Sequence, residues 1–287
     1  MRAPKLRSLL IAPANRADLV LKMPRCKAGI CVIDFEDGTP PAEKESARAG
    51  LPALIGRLRD EGYADLIGVR VNEPWSDLYL ADVEAVAPLA IDVLVTAKLE
   101  AVDELFPAVH ALRRAVRADG RERSIMAGIE SVRGIARAAQ LFGAYPEVRS
   151  MYWGAEDFIA SMSGIRTHAG QEIQVARSLA VLHAKEAGLA AFDHPIADVR
   201  NDALFRSDAE LGRQMGFDGK VCLLPRQVEI AHEVYTPSTA DVDHARRLLA
   251  AYDEATARGI GTIDFEGMHV DGPLLKRARQ TIALAEA

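Results

Sequence analysis

The sequence predicts an α/β protein, a (β/α)₈ TIM barrel followed by a small C-terminal helical extension or lid. Three observations carry that reading: eight short apolar runs rich in β-branched residues, amphipathic stretches between them, and polar side chains gathered where the runs end. The runs are 7–12, 29–35, 66–72, 91–97, 124–130, 148–154, 189–193 and 219–224, and their starts lie at least 22 residues apart. That spacing leaves room for one crossover helix each, as parallel strands require. A doubly wound sheet is the alternative, but it usually has fewer strands and a phosphate-binding glycine fingerprint after the first one. Here the first run ends in Ala12-Pro13-Ala14-Asn15.

The intervening segments read as helices. In 101–118, Leu105, Val109, Leu112 and Val116 share one stripe. Thr39 is placed to cap a helix with Pro40 at its first position. Ser131 and Gly143 suit the start and the end of another. In 172–187, His183 falls on the face of Ile173, Ala176 and Ala180, which predicts a core histidine. The barrel closes near residue 235, dividing the chain into a catalytic barrel, 1–235, and an extension, 236–287. Helical stretches at 239–257 and 273–285 flank the Gly-rich segment GIGTIDFEGMHVDGP. The extension is small for a core of its own and is expected to pack on the barrel or on a neighbouring subunit.

Composition narrows the function classes. With 287 residues, 49% hydrophobic and 26% charged, the chain is neither a disordered protein nor a membrane protein. Lys and Arg number 35 against 41 Asp and Glu, a net charge of −6, which argues against a nucleic-acid partner. The charge is uneven: residues 1–27 hold seven basic side chains and one acid, Asp18. Such a cationic stretch suits a phosphorylated ligand or an acidic partner, or is simply an uneven solvated surface. The three cysteines show no C-x-x-C spacing, and no apolar stretch reaches the roughly 18 residues of a membrane span. The expectation is a cytoplasmic protein with no membrane association.

In barrels of this kind the chemistry sits at the C-terminal ends of the strands. The second run ends in Asp34, Glu36 and Asp37, the third in Arg70 and Asn72, the fourth near Lys98, and the fifth in Glu130. The sixth leads into Glu156 and Asp157, and the seventh into Asp193 and His194. Glu130 and Asp157 fall on adjacent strands, where two carboxylates repel unless they share a proton or a cation. Oxygen ligands without Cys or paired His favour Mg²⁺ or Mn²⁺ over zinc. The alternative is that each carboxylate forms a rim ion pair. Arg70 suits a bidentate grip on a substrate carboxylate or oxyanion, or a pairing with the Asp34 cluster; both can hold at once. Arg166, in the long segment 158–171, is a further candidate contact.

These pieces, in order, resemble the citrate lyase beta-subunit family of the aldolase/citrate lyase barrel superfamily. The resemblance spans nearly the whole chain: RSLLIAPAN, IDFEDGTPPAEK, VRVN, AKLE, GIES, WGAED, GFDGK with LPRQ, and GMHVDGP. It implies that Glu130 and Asp157 bind Mg²⁺ and that Arg70 grips substrate. It further implies that Arg7 and Lys44 help hold a coenzyme A thioester, that Asn72 belongs to the substrate site, and that Glu36 and Asp37 support the metal and the arginine. Asp271 matches an aspartate of the C-terminal lid, which in related lyases reaches a site, often a neighbour's. The sequence departs from the family pattern at Leu224, where histidine is common, at Ala97, where proline is usual, and mildly at Phe35.

The activity so implied is Mg²⁺-dependent cleavage of a citramalyl-, malyl- or citryl-CoA type thioester to acetyl-CoA and a 2-oxo acid, by a homotrimer or hexamer. Two alternatives stand beside it: a barrel subunit working on an acyl carrier protein thioester, and a CoA-independent hydroxy-oxo-acid aldolase.

Overall fold

The computed structural model describes residues 6–63 and 65–286; Arg2 and Lys5 of the basic N-terminal stretch lie outside them. Eight parallel strands, β1 (Ser8–Pro13), β2 (Ile30–Asp34), β3 (Leu66–Val71), β4 (Val93–Thr96), β5 (Ser124–Ile129), β6 (Val148–Trp153), β7 (Ala190–Asp193) and β8 (Gly219–Cys222), close into a barrel in sequence order. Closure pairs Leu9 of β1 with Val221 of β8. Each of the eight apolar runs became one strand, trimmed by a residue or more at most ends.

The barrel's helices are α1 (Ala17–Val20), α2 (Lys44–Asp60), α3 (Tyr79–Val86), α4 (Phe106–Asp119), α5 (Val132–Gly143), α6 (Ala155–Ser161), α7 (Gln174–Glu186), α8 (Asp202–Met215) and α9 (Pro225–Tyr235). Ser131 caps α5 by accepting a hydrogen bond from Gly134 N. Gly143, expected just beyond that helix, is instead its last residue. Thr39 caps nothing: its hydroxyl donates to Asp34 O at 2.6 Å and accepts from Ala14 N at 3.0 Å, tying β1 to β2. His183 is not in the core; it stands half-exposed, 3.3 Å from Glu186.

Alternation along the strands separates two apolar clusters. Outward residues such as Ile33, Ile67, Leu94 and Ala127 pack beneath the helices, while Leu9, Ile30, Val32, Val93, Val95, Met126, Tyr152, Phe192 and Val221 fill the lumen. Beyond the barrel come α10 (Thr239–Thr256), a hairpin of β9 (Ile263–Phe265) and β10 (Met268–Val270), and α11 (Gly272–Glu286). This extension packs around its own small cluster of Ala245, Leu248, Val270, Leu275 and Ala278. Among the described residues no helix is long and apolar enough to cross a membrane.

Candidate active site

Register alone brings the rim groups together. Asp34, the last residue of β2, lies beside Arg70 on β3, and Ile129 beside Trp153 sets Glu130 next to Gly154. The mouth opens into a cavity of about 470 Å³ lined by Asp34, Asp37, Arg70, Glu130, Tyr152 and Asp157, among others.

Arg70 is locked from behind. Its Nε and Nη2 donate to the two carboxylate oxygens of Asp34 at 2.7 and 2.8 Å, and Nη2 lies 3.1 Å from Glu36 Oε2. Asp34 is held in turn by the backbone N–H groups of Glu36 and Gly38, each at 2.9 Å. A side chain so fixed loses little further entropy on gripping an anion. Both readings of Arg70 therefore fit: paired with the cluster, and facing the cavity.

Glu130 is 4% exposed and accepts hydrogen bonds from Tyr152 Oη at 2.5 Å and from Lys98 N at 3.1 Å. Lys98 adopts a left-handed φ of 49°, uncommon for a non-glycine residue, and this turn belongs to the loop that offers its N–H to Glu130. Burial pushes the Glu130 carboxyl up to about 7, against the pull of the Arg70 charge. The Lys98 ammonium lies 2.5 Å from Glu36, 2.9 Å from Asp37 and 3.4 Å from Asp157. Five carboxylates (Asp34, Glu36, Asp37, Glu130, Asp157) thus share two cations, Arg70 and Lys98. A buried carboxylate that resists ionisation, facing further oxygen donors and an excess of negative charge, is the donor chemistry that suits a hard divalent ion.

Two glycines make the arrangement possible. A Cβ on Gly128 would lie 2.6 Å from the Tyr152 hydroxyl and 2.7 Å from Thr96 O, and one on Gly154 would lie 2.5 Å from Glu130 Oε2.

The remaining candidates fall elsewhere. Arg7 precedes β1 at the foot of the barrel; its carbonyl accepts from Lys220 N at the start of β8 and its guanidinium donates to Leu284 O at 2.7 Å. Five residue steps, roughly 16 Å, separate the two ends of β1, so Arg7 is not brought to the mouth. Asn72 is buried, with its amide and backbone N–H donating to Asp82 Oδ2 at 2.5 and 3.1 Å and its Oδ1 accepting from Lys44 Nζ. Asn72 and Lys44 thereby join β3, α2 and α3, and neither lines the cavity. Asp271, half-buried before α11, does not line it either. Arg166 pairs with Glu156 at 3.1 Å and Glu172 at 2.8 Å.

Two mouth residues carry weaker signals in the sequence. Lys98 stands out only as a polar group at the end of the fourth run and within the AKLE piece. Tyr152 lies inside an apolar run, marked only by its alternation with Trp153. A second polar group, Asp193, His194 and Asp208, also converges. Arg177 pairs with both aspartates, as does Lys220, at 3.2 Å from Asp193 and 2.5 Å from Asp208. This is a buried ion-pair network whose charges are already matched.

A closed eight-stranded barrel with an arginine and an acidic cavity at its C-terminal mouth defines a barrel enzyme. Residues 7–225 match the model of the HpcH/HpaI aldolase/citrate lyase family, and the chain belongs to that family, within a superfamily of lyases. It is 39% identical to a citrate lyase subunit beta-like protein of Deinococcus radiodurans, over 99% of each chain. It is 33% identical to an L-malyl-CoA/beta-methylmalyl-CoA lyase of Cereibacter sphaeroides, over 98% of this chain and 94% of that one. The crystal structure of Mycobacterium tuberculosis CitE in complex with magnesium, acetoacetate and coenzyme A superposes with a TM-score of 0.83 and 28% identity, covering all of both chains.

Proposed function

We propose that this chain is a Mg²⁺-dependent carbon–carbon lyase that splits a 3-hydroxy-3-carboxyacyl-CoA thioester, of the citramalyl-, malyl- or citryl-CoA kind, into acetyl-CoA and a 2-oxo acid. The observation that carries it is Arg70, clamped on Asp34 and facing the buried Glu130 across one cavity. The magnesium and coenzyme A of the CitE complex and the thioester named for the Cereibacter lyase support the same reading.

Glu130 and Asp157 would hold the ion, which supplies Lewis acidity that lowers the pKa of the substrate hydroxyl. Tyr152 and the Lys98 N–H keep Glu130 oriented. Asp37, which lines the cavity, would take the hydroxyl proton, its pairing with Lys98 making it a weak base; Asp271 would serve only from another copy of the chain. As the carbon–carbon bond breaks, its electron pair passes into the thioester. Arg70 stabilises the resulting enolate oxygen, and a proton at the enolate carbon completes acetyl-CoA. Glu36 bridges the Arg70 and Lys98 cations and offsets their mutual repulsion. Three free cysteines, two of them buried, fit a reducing cytoplasm. A homotrimer or hexamer would bring Asp271 of one copy to the mouth of another.

The test is to supply citramalyl-, malyl- and citryl-CoA with Mg²⁺ and then with EDTA, following both oxo acid and free thiol. EDTA-sensitive oxo acid without thiol is expected. Thiol without oxo acid would make the chain a thioesterase. Silence on every CoA substrate would favour a carrier-protein subunit or a CoA-independent aldolase.

A further inference from the structure

The cavity is divided by chemistry. Its polar groups come from β2 through β6, whereas Leu9 and Ile11 of β1, Val32 of β2, Val95 of β4, and Val221 and Leu223 at β8 make a continuous apolar wall and floor. Beneath that floor Ile30, Val93, Met126 and Phe192 pack the lumen, each at most 4% exposed, so the space opens only toward the mouth. Among the described residues lining the cavity Arg70 is the sole cation, and Asp34 already occupies two of its donors.

Resting on the lyase reading, we infer that the site accepts substrates whose hydroxyl-bearing carbon carries an alkyl group larger than methyl, two to four carbons long, and rejects a second carboxylate there. That carbon has four substituents. Its hydroxyl and carboxylate belong to the polar wall. Its acyl arm leads to CoA and must leave through the mouth, because the other end of the lumen is closed. The fourth substituent, the side chain of the 2-oxo acid product, is left facing the apolar side of the cavity, where Ile11 and Leu223 lie above Leu9 and Val221. An alkyl group there is removed from water, and each methylene in such a pocket is worth roughly tenfold or more in discrimination. A carboxymethyl group, as in a citryl thioester, would meet no donor on that floor, and a carboxylate buried without a partner is disfavoured.

The experiment runs the reaction as a condensation with the full-length protein and Mg²⁺. Acetyl-CoA loses a proton from C2, that carbon bonds to the oxo carbon, and the oxo oxygen takes up a proton, so nothing else is consumed. Glyoxylate, pyruvate, 2-oxobutanoate, 3-methyl-2-oxobutanoate and oxaloacetate are compared by kcat/KM and, separately, by calorimetric affinity. Both quantities are expected to rise at least about tenfold from pyruvate to 2-oxobutanoate or 3-methyl-2-oxobutanoate, with oxaloacetate poorest. Condensation that favours oxaloacetate or glyoxylate would overturn the inference while leaving the lyase reading intact. Binding in the alkyl order without condensation would support the inference and overturn the lyase reading; neither binding nor condensation would overturn both. In Val221→Phe, which fills the floor, the kcat/KM ratio of 2-oxobutanoate to glyoxylate should fall about tenfold. An equal loss on both substrates would overturn the inference.

Discussion

Glycine at position 128 is the smallest feature on which the mouth depends. Tyr152 reaches Glu130 by lying across β5, and a single methyl group on Gly128 would collide with its ring, its hydroxyl and the Thr96 carbonyl. The carbonyl is backbone and cannot rotate away. Gly128→Ala should cost roughly 1–3 kcal/mol in denaturant unfolding, in the range of other overpacked cores, and should also weaken Mg²⁺ binding by disturbing Glu130. An alanine variant with unchanged midpoint and unchanged calorimetric Mg²⁺ affinity would contradict this view of the site. Residue-scale features divided sharply in how far they could be read from the sequence. The placement of Arg70, Glu130 and Asp157 at the mouth was legible because a barrel strand must deliver its last residues to one rim. Tyr152 was not, since inward tyrosines and packing aromatics share the same alternation. Asn72 was legible as a strand end but not as a residue spent on Asp82, because α3 folds back over it.

Among the elements, β7, β8, α7 and α8 are joined by charge inside the barrel wall. Asp193 and Lys220 are fully buried, and Arg177 and Asp208 complete the set. Burial works against ionising Asp193, yet Lys220, His194 and Arg177 together hold its carboxyl well below the usual range. Removing one partner leaves an uncompensated charge, so Lys220→Met should destabilise the fold by about 3–5 kcal/mol. Arg226→Met, which removes exposed pairs to Asp202 and Glu229, should leave the unfolding midpoint in place. Equal effects of the two would refute a structural role for the buried network. The sequence offered Asp193 and His194 as one more pair of rim groups. Their partners, Arg177, Asp208 and Lys220, come from α7, α8 and β8, many residues away in the chain, and such long-range pairings leave no local signature.

At the scale of the molecule, the barrel was legible throughout, since each strand is a buried apolar run and each crossover needs its own helix. The ends of the chain were less so. The basic N-terminal stretch suggested one cationic face, yet β1 carries Arg7 to the foot and Arg16 to the loop above the mouth, where it pairs with Asp18. The hairpin of β9 and β10 was missed because three-residue strands in a Gly-rich segment show no usable period. Cysteine chemistry also follows from the whole fold. Burial pushes the Cys31 thiol up to about 12 and raises Cys222 as well, while Cys26 is only partly covered. At pH 8 a thiol reagent should therefore modify no more than one cysteine in the native protein and all three after denaturation.

On the proposed function, carbon–carbon cleavage takes place between Arg70 and the Glu130–Asp157 pair. Product analysis on the wild type beside Arg70→Lys, Glu130→Gln and Asp157→Asn, with folding checked by thermal melting, tests it most directly. Arg70→Lys keeps the charge but loses the fork, and oxo-acid formation should fall by about 10²-fold or more. The two carboxylate variants should lose Mg²⁺ dependence together with activity while melting near the wild-type temperature. Wild-type rates of oxo-acid release from any of these folded variants would place the chemistry elsewhere and contradict the account.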